Sequence, residues 1–258
     1  MARMGIDPTD PRPPSRQIAD ELREQIVSGD LEPGQPLPSE SSLVATYGTS
    51  PTTARQAVRL LKEEGLVVSE RGRGVFVKKQ PPTIHMGSHR FSRKTRAEGK
   101  AAFEAEIEAQ GRRWGQEILE LADVPAPKWV AEWFGIEPGT EVFVRRRRNW
   151  VDDEPTQIAD SYYQLPTVQD TAIRTEDTGP GGSYARLEEK GHRLERFREE
   201  IAIRMPSPDE TKALRLSPGI PVAELRRIAF TAEGPVEVLT SVVAGDRHVF
   251  CYEFPAPE

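Results

Sequence analysis

Arg55 and Arg59 stand four residues apart, with Gln56 between them and Thr52 and Thr53 just before. On a helix that spacing puts the two guanidiniums one turn apart on one side. Arginine can grip guanine with two parallel hydrogen bonds, glutamine can do the same for adenine, and hydroxyls at a helix start suit phosphate oxygens. Shortly downstream, Arg71-Gly72-Arg73-Gly74 forms a slim cationic turn of a width that a minor groove admits. Taken alone, the helix reads equally well as a solvated, ion-paired surface. A basic hairpin directly after it favours nucleic acid, because a polyanion needs cations from more than one element.

Those side chains need elements to present them. Ser50 followed by Pro51 predicts a helix start: the serine caps, and proline suits a first helical position whose N–H is unpaired anyway. Ala54, Ala57, Val58 and Leu61 give this helix one apolar face, so Thr52, Thr53, Arg55, Gln56, Arg59 and Lys62 face outward. Upstream, Ser15 is expected to cap a helix carrying Ile18, Leu22, Ile26 and Val27, closed by Gly29. Ser39 caps a second, short helix ending near Tyr47-Gly48. Leu66–Val68 and Val75–Val77, joined by glycine-bearing residues, read as a hairpin. The order helix, helix, turn, helix, basic hairpin is that of a winged helix-turn-helix.

Charge follows the same division. The net charge of the 258 residues is −6, an unpromising total for a nucleic-acid binder. Yet residues 1–50 carry four basic and eight acidic side chains, whereas residues 51–79 carry seven basic and three acidic ones. The positive charge is concentrated where the presenting helix and hairpin lie.

A second cationic feature is the run Arg145-Arg146-Arg147-Arg148. In a strand its members alternate faces, so Arg145 and Arg147 share one side and Arg146 and Arg148 the other. A pair on an inner face would fork onto a carboxylate or phosphate; the plainer alternative is ion pairing with carboxylates of neighbouring strands. Other candidates are weak. His85 and His89 have i,i+4 spacing but no carboxylate or thiol partner, so no metal is expected. Gly179-Pro180-Gly181-Gly182 lacks a following Lys-Ser/Thr and reads as a loop. Cys251 is expected as a buried thiol, and Trp129 and Trp133 as core. No catalytic constellation is present.

The surrounding pattern is α+β. We expect a flexible, proline-bearing arm over 1–14, the winged head over 15–78, a polar linker over 79–97 and a second domain over 98–258. That domain has helical segments at Ala101–Gly111, Pro127–Phe134 and Tyr184–Lys190. Its strands are expected at Glu141–Trp150, Thr156–Tyr163, Glu199–Arg204, Pro221–Thr231, Val236–Ala244 and Val249–Phe254, making an antiparallel sheet. Hydrophobic residues form 36% of the chain, enough for compact cores. There is no run long enough for a membrane helix, no secretory h-region at the N-terminus and one cysteine, so a cytoplasmic protein without a disulfide framework is expected.

Pro38-Ser39-Glu40-Ser41-Ser42-Leu43, Tyr47-Gly48-Thr49-Ser50-Pro51-Thr52-Thr53-Ala54-Arg55-Gln56-Ala57, Leu60-Leu61-Lys62-Glu63-Glu64-Gly65-Leu66 and Gly72-Arg73-Gly74-Val75-Phe76-Val77 resemble the GntR family of bacterial transcription regulators. The resemblance implies that Arg55 touches operator bases and that Gly72 lets the wing approach the groove. Ser41 and Pro51 stand where the family often has arginine. Glu141–Arg148, Asp152–Pro155, Ser161–Pro166, Tyr184–Glu189 and Arg226–Phe230 resemble the UTRA effector domain of the HutC subfamily, whose fold is chorismate-lyase-like and which binds small molecules without chemistry. In phosphosugar-binding relatives an Arg-x-Arg pair holds phosphate; its first member matches Arg147 here, but Asn149 stands where the second arginine would be.

The resemblance therefore implies a homodimeric, ligand-responsive regulator, a repressor released from a palindromic DNA operator by a small polar or anionic effector, with no cofactor and no membrane partner. The expected DNA contacts are Ser39, Ser50, Thr52, Thr53, Arg55, Gln56, Arg59, Arg71, Gly72 and Arg73. The expected effector contacts are Arg145, Arg147, Tyr163, Tyr184 and His248. Two alternatives remain at this point: an enzyme built on the second domain, disfavoured by the lack of a paired acid and base near the arginine strand, and an architectural DNA binder that only dimerises.

Overall fold

The computed structural model describes residues 5–70, 72–79 and 83–253, except the side chains of Ser88 and His89. The chain divides into two units: residues 1–81 with 216–220, and residues 82–215 with 221–258. Among the described residues no helix is long and apolar enough to cross a membrane.

The first unit packs α1 (Pro14–Ser28), α2 (Glu40–Tyr47) and α3 (Pro51–Glu63) around Ile18, Leu22, Leu43, Ala54, Ala57 and Leu61, each no more than 1% exposed. The helix boundaries have local causes. The Ser39 hydroxyl accepts from the Ser42 N–H at 3.1 Å and the Ser50 hydroxyl from the Thr53 N–H at 3.2 Å. Each cap satisfies a donor that the first turn leaves orphaned. Gly29 (φ 87°) closes α1 in the left-handed conformation. Ser15 is not the cap of α1: the helix begins one residue earlier, at Pro14, where proline's missing N–H costs nothing.

The hairpin follows as β1 (Val67–Glu70) and β2 (Gly74–Val77), paired antiparallel. The proline-rich loop before α2 runs beside β2, with the Leu37 N–H donating to Val75 O at 2.7 Å and the Val77 N–H to Gln35 O at 2.8 Å. Over its described part the expected flexible arm is tied down. The Asp7 N–H donates to Gln17 Oε1 at 2.8 Å, and Ile6 packs on the helical core.

The second unit begins earlier than the sequence suggested. Ile84–Gly87 forms β3, followed by α4 (Arg93–Ala97), α5 (Ala102–Glu108), β4 (Trp114–Pro125), α6 (Lys128–Phe134), β5 (Glu141–Val151), β6 (Glu154–Gln164) and α7 (Leu165–Val168). Next come α8 (Gly182–Glu189), β7 (Arg196–Arg204), α9 (Pro208–Ala213), β8 (Val222–Thr231), β9 (Gly234–Ala244) and β10 (His248–Cys251). Six strands form one antiparallel sheet in the order β4-β5-β6-β9-β8-β7. The linker expected over 79–97 is thus corrected from residue 84 onward. β3 pairs in parallel with β10 at the other end of the domain, a partner no local pattern reveals. Cys251 is exposed, not buried, because this short ladder leaves alternate β10 side chains facing out.

Strand alternation gives the sheet two distinct faces. Val142 and Val144 of β5, Tyr162, Ile228 and Val238 lie under α6, which buries Val130, Ala131 and Phe134 against them. Trp129 and Trp133 flank that core edge to face, 6.3 Å apart. On the opposite face, Phe143, Tyr163 and Ala229 pack with Tyr184 and Leu187 of α8. Between this packing and that of Ile84, Ile107 and Val243 the face stays open.

Candidate nucleic-acid interface and effector cavity

On α3, Thr52, Arg55 and Arg59 are exposed, while Thr53, Gln56 and Lys62 are half-buried. Arg55 Nε donates to Glu40 Oε2 at 3.1 Å, and Arg59 lies 3.5 Å from Glu63; both arginine side chains are 62% exposed. Exposed pairs of this kind are worth about 0–1 kcal/mol, so a phosphate or base edge displaces the carboxylate cheaply. Ser50 Oγ lies 2.9 Å from Thr53 Oγ1 and Ser39 Oγ 2.9 Å from Ser41 Oγ, which clusters hydroxyls at the N-termini of α3 and α2.

In the wing, Gly72 (φ 75°) and Gly74 (φ 117°) occupy backbone conformations that side-chained residues adopt only with strain. They let the hairpin turn tightly while holding Arg73 against Glu70 and over the Phe76 ring. Arg71, expected at the same tip, lies outside the described residues.

The second site is a cavity of about 110 Å³ on the open face of the sheet. The four arginines of β5 divide as alternation predicts. Arg146 pairs with Glu120 at 3.2 Å and Asp160 at 3.5 Å, and Arg148 with Glu117 at 2.5 Å, so the outer pair makes ordinary cross-strand ion pairs. Arg145 and Arg147 line the cavity.

Arg145, 2% exposed, is already engaged. Its guanidinium donates to the carbonyls of Ile173, Thr175 and Glu176 at 3.4, 2.5 and 2.7 Å, strapping the loop that leads towards α8. Burial, and then the neighbouring charge of Arg147, pulls its pKa down. Arg147 donates to Ser161 Oγ at 2.9 Å and to Arg145 O at 3.4 Å. No carboxylate among the described residues stands at ion-pair distance from it.

Tyr163 and Tyr184 converge on one buried carboxylate: each hydroxyl donates to Glu237 at 2.7 Å. Burial pushes both hydroxyl pKa values up, so both tyrosines stay neutral donors. Tyr184 lines the cavity, whereas Tyr163 supports Glu237 from beneath. His248 is not on the cavity wall. It sits in β10 opposite Ile84, with its Nδ1 2.8 Å from Ala244 O, and burial pushes its pKa down to about 4. Packing accounts for it, and the expected effector contact is corrected.

Several lining residues were not singled out from the sequence: Gln116, Gln157, Ser183, Arg90, Arg227 and Glu237. A signal for some of them existed. Asn149 and Gln157 are amides at inner-face positions of long strands, where apolar residues are the rule. The Gly179–Gly182 loop, read as a plain connection, places Gly181 and Gly182 on the wall beside Ser183.

A winged-helix head with a lightly partnered basic helix, joined to a sheet domain with a polar cavity, defines a DNA-binding regulator with a ligand-sensing domain. Comparison with known proteins agrees. The profile of bacterial regulatory proteins of the gntR family matches residues 14–77, and the UTRA domain profile matches residues 109–249. An uncharacterized HTH-type transcriptional regulator of Streptomyces coelicolor is 35% identical over 253 residues, covering 95% of this chain and 94% of that protein. The HTH-type transcriptional repressor NagR of Bacillus subtilis is 26% identical, covering 96% and 98% of the two chains.

Among solved structures, a GntR-family transcriptional regulator superimposes with a TM-score of 0.70 at 26% identity, covering 95% of this chain and 99% of that one. PhnF from Mycobacterium smegmatis shares the fold, with a TM-score of 0.58 at 22% identity over 93% and 100% of the chains. The chain belongs to the GntR family: it is a transcriptional regulator with a DNA-binding GntR domain and a UTRA effector domain, and not an enzyme.

Proposed function

We propose that the chain is a homodimeric repressor that occupies a palindromic operator and leaves it when a small polar or anionic effector fills the cavity of the UTRA domain. The observation that carries this reading is α3, whose two outward guanidiniums, 62% exposed and held only by surface carboxylates, lie next to a wing built on left-handed glycines. Thr52, Arg55, Gln56 and Arg59 would read the major groove. Thr53 and the capping hydroxyls of Ser39 and Ser50 would meet phosphates, and Arg71, Gly72 and Arg73 the minor groove. In the cavity, Arg147 and Tyr184 would touch the effector, with Arg145 and Tyr163 fixing the wall behind them.

The repressor sign is supported by relatives named as repressors: NagR, and the mannosyl-D-glycerate transport/metabolism system repressor MngR of Escherichia coli, 26% identical over 87% of this chain and 88% of that one. A single winged head buries little surface, and two-fold pairing doubles the contacts over half-sites about one helical turn apart. The effector acts by binding more tightly to a dimer geometry whose heads no longer match the operator spacing.

The test is a footprint on the promoter of its own gene, titrated in salt, beside light scattering on the free protein. A two-fold-symmetric footprint with a steep salt slope, lost in Arg55→Ala, is the expected result. An asymmetric footprint, or one that survives Arg55→Ala, would sink the reading, and a monomer in light scattering would remove the homodimer.

A further inference from the structure

Resting on the regulator reading, we infer that the effector is a small monocarboxylate bearing hydroxyl or carbonyl oxygens, and not a phosphate ester. Charge balance, donor direction and size each lead there.

Four arginines face the cavity, but three are spoken for. Arg90 holds Glu199 at 2.8 Å, Arg227 lies 3.5 Å from Glu199 and 3.9 Å from Glu237, and Arg145 is spent on three backbone carbonyls. Arg145 and Arg147 both meet only neutral oxygens, but Arg145 spends both terminal nitrogens on them, whereas Arg147 donates through Nη1 alone. One unpaired guanidinium fork matches one carboxylate. The four arginines stand against three carboxylates, Glu106, Glu199 and Glu237, so one positive charge is left over, which a monoanion balances and a phosphate dianion exceeds.

The floor of the cavity is a ladder of side chains crossing four adjacent strands. Arg145 Nη2 donates to Gln116 Oε1 at 3.3 Å, Gln116 Nε2 to Asn149 Oδ1 at 3.2 Å, Asn149 Nδ2 to Gln157 Oε1 at 2.7 Å, and Gln157 Nε2 to Ser241 Oγ at 2.5 Å. Arginine has no acceptor, so it sets the direction of every amide after it. Each amide then uses one lone pair of its oxygen and one N–H within the ladder, and each NH2 group retains a second N–H. These second N–H groups favour a ligand that brings acceptors, and a ligand lacking them leaves those donors unpaired.

Size sets the third limit. At about 10–15 Å³ per water-sized group, a cavity of about 110 Å³ holds roughly seven to eleven such groups. A small hydroxy- or acylamino-carboxylate fits that count.

The experiment titrates the full-length protein, by calorimetry and thermal shift, with glycerate, threonate and N-acetylglycine, then with glycerol 3-phosphate, glucose 6-phosphate and neutral erythritol. Saturable binding of at least one carboxylate at millimolar concentration or tighter is expected, weakened about tenfold or more in Arg147→Gln, partly restored in Arg147→Lys and unchanged in Arg146→Gln on the opposite face. The inference is overturned if no carboxylate of the panel binds, if a phosphate ester binds more tightly than all of them, or if Arg147→Gln leaves carboxylate binding intact in a folded protein. A phosphate ester that binds and also abolishes the operator footprint would overturn the ligand class while leaving the regulator reading standing. Carboxylate binding without any operator footprint would support the ligand class and count against the regulator reading.

Discussion

Arg55 and Arg59 on α3 carry the same guanidinium as Arg145 and Arg227 under the sheet, but in opposite circumstances. The first two are 62% exposed beside carboxylates that hold them weakly, while Arg145 and Arg227 are 2% and 8% exposed, the one bound to backbone carbonyls and the other flanked by Glu199 and Glu237. A surface that meets a polyanion keeps its cations solvated and exchangeable, since their gain comes from counterion release and contacts made on binding. In the cavity the buried cations mainly organise the wall, and Arg147 is the one we propose for the guest. The two arginine sets therefore differ in what they stabilise: the complex in one case, the fold in the other.

The sharpest way to break this comparison is Arg227→Ala. It leaves Glu237 and part of Glu199 uncompensated in the interior, and should lower the unfolding free energy by about 3–5 kcal/mol in urea titration. A loss below about 1 kcal/mol would show that the buried arginines are not structural in this sense.

The same domain predicts an acid sensitivity that the head does not. His248 is neutral in the fold, its pKa pushed down to about 4 by burial, against an ordinary value of 6.5 in the unfolded chain. The unfolded state binds the proton first, so this contribution is complete above about pH 6.5 and is lost as pH falls towards about 4, to a limit of about 3 kcal/mol. His248→Gln should flatten the pH dependence of urea unfolding over that range relative to the unaltered protein.

On the head the expected signs separate stability from binding. Arg55→Ala should change the unfolding free energy by less than about 0.5 kcal/mol, yet cost about 1–3 kcal/mol of operator affinity in fluorescence anisotropy. Equal losses in both measurements would mean that Arg55 belongs with the buried set. Ser50→Ala removes the N-cap of α3 and should cost about 1 kcal/mol of stability, read as a lowered unfolding midpoint.

The head was the more legible part of the molecule. Its helices start and stop on residues that act within a turn of themselves: Ser39, Ser50, Pro51 and the left-handed Gly29 and Gly48. The exposed face of α3 follows from the buried one by helical period alone. The long strands β5, β6, β8 and β9 were legible for the same reason, as was the division of Arg145–Arg148 between two faces. What escaped were features whose partners are distant in sequence. β3 is a strand only because β10 lies beside it, α4 was taken for linker, and the described part of the arm is held by Gln17 and the helical core.

The cavity of the second unit shows the same limit at the level of single residues. Arg145 and Arg147 share a face and a residue type, so nothing local could assign one to the loop at Ile173–Glu176 and leave the other facing the cavity. Nor could spacing join Gln116, Asn149, Gln157 and Ser241, which meet only because register aligns four strands. The sequence by itself determined the order of elements, the basic face of α3 and the family, because caps, turns and periodicity act over a few residues. Tertiary structure alone decided which cations are committed and which is available, because ion pairing and desolvation depend on neighbours that the chain brings together only on folding.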